Sequence, residues 1–165
     1  MPDKRIFTLY LSTLTPSGYN FSPVDKTNLS NVKWSIDWNR VFGDLCGRAD
    51  CLVRIHLISK QNTNTNLPYD TNLGTVRCNF YSPYQQQNNG VIIGTLNVLQ
   101  LVGSNNVLSC DTSMTQGVRI RVPNTTSFFA VQLISLSETL IPNNVEYQIQ
   151  FDFEIIEDSV VSVDY

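Results

Sequence analysis

Residues 145 to 155, VEYQIQFDFEI, place Val145, Tyr147, Ile149, Phe151, Phe153 and Ile155 on one side and polar residues between them. A repeat of two is the signature of a strand with one buried and one solvated face. The same pattern predicts strands over 5–12 (RIFTLYLS), 32–39 (VKWSIDWN), 51–59 (CLVRIHLIS), 75–81 (TVRCNFY), 91–101 (VIIGTLNVLQL), 118–122 (VRIRV) and 127–136 (SFFAVQLISL). The intervening stretches are rich in Asn, Pro, Gly and Ser, as turns require. One short helical segment is expected around RVFGDLCG, and a longer loop before residue 118.

Eight strands with one apolar face each need two antiparallel sheets packed face to face. Immunoglobulin-like sandwiches use about 100 residues and seven strands. At 165 residues the chain is better suited to an all-β, eight-stranded single jelly-roll β-sandwich with little helix. A closed up-and-down barrel is the alternative, because patterning does not set connectivity. The domain is expected to span 1–158, with 159–165 as a short tail. In this architecture the long last strand pairs beside the first and lies centrally in its sheet.

Composition agrees with strands and turns. Charged residues make up only 15% of the chain and uncharged polar residues fill the difference, which disfavours helix. A net charge of −3 with eleven scattered basic residues lacks the basic patch that nucleic acid demands. Arg119 and Arg121 form the densest basic pair, on one face of one strand. No run approaches the eighteen apolar residues of a membrane span, and MPDKRIF lacks the apolar core of a signal peptide.

Candidate chemistry is sparse. His56 is the single histidine and falls on the polar face with Leu52, Arg54 and Ile58. Asp152 and Glu154 share a strand face but alternate with core residues, so they point outward. Neither a nucleophile-elbow motif, a glycine-rich phosphate loop nor a calcium loop occurs. With Cys46, Cys51, Cys78 and Cys110 unpaired in spacing, zinc ligation is not expected. Cys46 and Cys51 flank a turn and a bridge between them is left open, with reduced thiols favoured. The expectation is therefore no enzyme, cofactor or metal. Tyr69, Tyr81 and Tyr84 lie in or beside loops, where they suit a glycan or a neighbouring subunit.

The succession VKWSIDWNRVF, GTVRCNFYS, VIIGTLNVLQL, GVRIRVPNTTSFFAVQLIS and NNVEYQIQFDFEII resembles the single jelly-roll penton and minor capsid proteins of icosahedral double-stranded DNA viruses. That resemblance covers nearly the whole chain and carries no catalytic signature. It implies a structural virion protein, a self-associating subunit (a homopentamer) that docks to other capsid proteins and is assembled in a reducing host compartment, cytoplasm or nucleus. The first strand starts about four residues from the N-terminus with Lys4 and Arg5 as the only basic residues there, so the basic arm of a genome-condensing coat protein is not expected, nor direct nucleic-acid binding. A carbohydrate-binding, lectin-like jelly roll is the alternative.

Overall fold

The computed structural model describes residues 4–14, 21, 23–27, 30–61, 73–85, 90–100, 106–124, 128–135 and 145–161. Alternation builds β1 (Ile6–Ser12), which buries Leu9 and Leu11 and exposes Ile6, Thr8 and Tyr10. A three-residue β2 (Pro23–Asp25) and β3 (Asn31–Trp34) follow, then a short helix α1 (Trp38–Phe42) and a 3-10 turn at Gly43–Leu45. The remaining strands are β4 (Asp50–Gln61), β5 (Leu73–Cys78), β6 (Val91–Gln100), β7 (Asn106–Asp111), β8 (Val118–Arg121), β9 (Phe129–Ser135) and β10 (Val145–Ile156).

All pairings are antiparallel, in the order β1-β10-β4-β7-β6-β5-β9-β3-β2, with β8 also on β4. The protein is thus nearly all β, a sandwich-like sheet folded onto itself. β10 has a partner on each side, its seven pairs to β1 running from Ile6↔Glu154 to Ser12↔Gln148. Its inward face, Tyr147 through Ile155, is buried, while Glu146, Gln148 and Asp152 face out.

Three expectations are corrected. Ten strands form among the described residues, not eight. The strand over 32–39 stops at Trp34, because the Asp37 carboxylate accepts a hydrogen bond from the Asn39 amide (3.2 Å) and caps a helix there. Trp38 and Phe42, four residues apart, then turn the same helical face inward. The long loop before residue 118 contains β7. It joins β8 in lining one edge of β4, interrupted by residues 112–117, which are inserted between the pairs His56↔Asp111 and Val53↔Val118. Arg54 holds this insertion, its Nε donating to the Thr115 carbonyl (2.7 Å) and its Nη2 to that of Gln116 (3.0 Å).

Side chains from the two halves of the sheet meet in one core. Phe151 of β10 lies edge-on to Phe129 of β9 (5.5 Å) and Phe80 (6.1 Å), and Tyr147 edge-on to Trp34 (6.3 Å). Trp38 and Phe42 cover one end through Phe153. Such pairs add about 0.5–1.5 kcal/mol each beyond the area they bury.

Candidate functional site

An aromatic-walled cleft forms where the chain leaves β5 and enters β9. The Asn79 side chain fastens it: Nδ2 donates to the Phe128 carbonyl (2.8 Å) and Oδ1 accepts from the Ala130 amide (2.9 Å). Beneath, the Arg121 amide donates to the Tyr81 carbonyl (2.9 Å), which ties the same segment to β8. Pro123 and Asn124 follow and close the third side. Asn124 approaches so near that a Cβ on Gly47 would lie 2.5 Å from its Nδ2, and Gly47 also holds φ at +69°.

The resulting space is about 230 Å³. Trp38, Phe80 and Phe129, all buried, form its floor. Tyr81, 68% exposed, and Phe128, 56% exposed, stand at the rim. Arg121 and Asn124 supply polar groups. An apolar ring-sized floor with exposed aromatic edges and two convergent polar side chains is the general form of a small ligand or side-chain receptor.

Of the tyrosines singled out in the sequence, Tyr81 lines this cleft. Tyr84 stands apart, its ring under the Arg119 guanidinium at 5.1 Å, and Tyr69 lies outside the described residues. Phe128 went unnoticed. Its signal was the Phe128-Phe129 doublet, since neighbours in a strand cannot both point inward.

The arginine pair is engaged within the protein. Arg119 donates through Nε (3.0 Å) and Nη2 (2.8 Å) to Asp50 Oδ2. Arg121 Nε sits 2.7 Å from Asp50 Oδ1, an ion pair out of line for a hydrogen bond. The neighbouring carboxylate raises the Arg119 guanidinium. The one buried Asp50 carboxylate thus holds both arginines.

His56 is exposed on the outer sheet face, opposite Gln150 and Asp111. It borders a second depression, about 370 Å³, with Leu14, Ile58, Glu146 and Gln148. Asp152 accepts from Thr8 Oγ1 (2.8 Å), and Glu154 pairs with Lys4 (3.2 Å) and Arg54 (3.5 Å). Partial burial pushes Glu154 up, but the Lys4 hydrogen bond and the Arg54 charge outweigh it and hold the carboxyl below its ordinary value. These carboxylates face outward, each occupied by a neighbour.

Cys46, Cys51, Cys78 and Cys110 are free thiols. Burial pushes Cys51 up to about 12 and Cys110 up to about 11, and Cys78 well above its ordinary value. Among the described residues, no three His, Cys, Asp or Glu side chains converge on a point where a metal could sit. No helix there is long and apolar enough to cross a membrane. Comparison with protein-family models, with curated proteins and with solved structures finds no match to this chain.

Proposed function

We propose that the chain is a single jelly-roll capsid subunit, the vertex (penton) or a minor component of an icosahedral virus particle, working by self-association and by docking to neighbouring coat proteins. The observation that carries this reading is the strand order. Setting aside short β2, and counting β7 and β8 as one interrupted strand along β4, eight strands run β1-β10-β4-β7/β8 and then β6-β5-β9-β3. First and last strands lie side by side while hairpin neighbours β6 and β7 link the two halves. We read this succession as two Greek keys wrapped into a jelly roll, an architecture shared by capsid and lectin domains, and it supports the capsid reading.

Light scattering and negative-stain class averages of the purified chain test the reading. The expected particle is a ring of five. A monomer at every concentration, also missing from purified virions, would count decisively against it.

A second reading has one specific observation in its favour. The exposed rings of Tyr81 and Phe128 beside Arg121 and Asn124 suit a sugar, whose C–H face stacks on an aromatic ring while its hydroxyls take hydrogen bonds. A glycan array probed at high protein concentration tests it. Binding abolished by Tyr81→Ala and kept by Tyr84→Ala is the expected result. No signal on any glycan removes this reading.

A further inference from the structure

We propose that the free edge of β1 pairs with β1 of a second copy of the chain, antiparallel about a two-fold axis at Thr8. The phase of the β1–β10 ladder shows which backbone groups are available. Ile155 donates its amide to the Arg5 carbonyl and Thr13 its amide to the Tyr147 carbonyl. In this register the odd residues of β1 face β10. The amides and carbonyls of Ile6, Thr8 and Tyr10 therefore point away from the sheet, and among the described residues no strand pairs with them.

The other strand ends are blunted. β2 closes the far end of the ladder with three residues that include Pro23 and Asp25 and a register shift against β3. The outer edge of β8 is covered, since its Arg121 amide donates to Tyr81 and its Arg119 carbonyl accepts from Ser82 Oγ. Prolines, charges, bulges and covering loops are how sheet edges are protected from other chains. Among the described residues β1 has none of them: IFTLYLS is uncharged and regular over seven residues.

The register follows from what is open. Ser12 and Thr13 are buried, and Lys26 Nζ reaches the Thr13 carbonyl (3.1 Å), so the C-terminal end of the edge is closed. Centring the pair on Thr8 uses only Ile6, Thr8 and Tyr10 and gives about six interchain backbone hydrogen bonds. It also sets Ile6, 52% exposed, against the second copy's Tyr10, 50% exposed, on the outer face. Aromatic and β-branched residues are favourable cross-strand partners. The contact is smaller than the roughly 1,600 Å² of a standard interface, so it forms at high protein concentration or when other contacts hold copies together. It needs only this edge, and not the capsid reading.

Residue-resolved amide exchange on the full chain, followed against protein concentration, tests the proposal. The expected result is that the Ile6, Thr8 and Tyr10 amides slow as concentration rises, while Phe7, Leu9 and Leu11 are protected throughout. Thr8→Pro removes one outward N–H and spares the ladder to β10. Thr8→Lys sets like charges opposite each other across the axis and keeps every amide. Each is expected to abolish the concentration dependence. Even-numbered amides that exchange at one rate at all concentrations overturn the proposal, as does a concentration dependence that survives both variants. Association without that protection also overturns it, and leaves the capsid-subunit reading intact.

Discussion

Gly94 occupies a point where β6 approaches β7 too closely for any side chain. A Cβ there would lie 2.5 Å from Cys110 Sγ and 2.9 Å from Thr112 Cγ2, against the roughly 3.5–4.0 Å of an ordinary contact. Its φ is not in the left-handed region, so Gly94→Ala tests packing alone. The thiol is buried and Thr112 is fixed, its amide donating to the Ile55 carbonyl and its hydroxyl accepting from the Ile55 amide. Neither neighbour can move freely. Overpacking of this kind costs about 1–3 kcal/mol, or a fall in melting temperature of about 2–12 °C for a domain of this size. Cys110→Ala alone removes one buried sulfur and costs about 1 kcal/mol. In the double variant the worst overlap is gone, so Gly94→Ala is expected to cost at least about 1 kcal/mol less than in the native background. Urea unfolding followed by the fluorescence of the buried tryptophans measures all four corners of the cycle. Costs that simply add, or a Gly94→Ala variant as stable as the parent, would refute the steric account.

Other outcomes follow from the same structure. Phe153→Ala opens a cavity among Trp38, Phe42, Phe80 and Phe151 and is expected to cost about 3–5 kcal/mol, read from the urea midpoint. Asp37→Ala removes the α1 cap for about 1 kcal/mol, with Asp37→Asn or Asp37→Ser retaining most of it. Asp25, Asp111, Glu154 and Glu157 are all held below their ordinary values, the first two chiefly by hydrogen bonds from Thr27 and Ser113 and Glu157 by that from Arg5. Their contribution is therefore complete above the unfolded carboxyl range near pH 4 and is lost as pH falls through the folded values; a melting temperature indifferent to pH between about 5 and 2 would contradict this. The thiols work in the opposite sense. Raised Cys51 and Cys110 favour the fold below about pH 8.5 and withdraw that support as pH climbs toward their folded values. Thiol labelling of the native chain at neutral pH should modify half-buried Cys46 and spare the other three until denaturant is added.

By itself the sequence determined that this is a β protein, and where most of its strands lie. Period-two alternation is a local property, visible wherever one face meets the core, as in β1, β4 and β10. It also placed Arg54, His56, Asp152 and Glu154 on the outer face without coordinates. Where a local hydrogen bond or a ladder break competed with alternation, the sequence was misleading. Asp37 turned the end of the predicted third strand into a helix, and the inserted residues 112–117 concealed that β7 and β8 line the same strand. Only the tertiary structure decided which residues meet. Asp50 and Arg119 lie far apart in the chain, and a charge pattern cannot reveal that one cancels the other. Tyr81 comes from the connection between β5 and β6, whereas Arg121, Asn124 and Phe128 come from the end of β8 and the chain leading into β9; the Asn79 clamp joins the two, and the close approach at Gly47 fixes Asn124. The open edge of β1 is likewise a property of the ladder, since a strand's own residues do not tell whether it has one neighbour or two. Alternation records the environment of each residue, whereas sites and edges depend on partners supplied by distant parts of the chain.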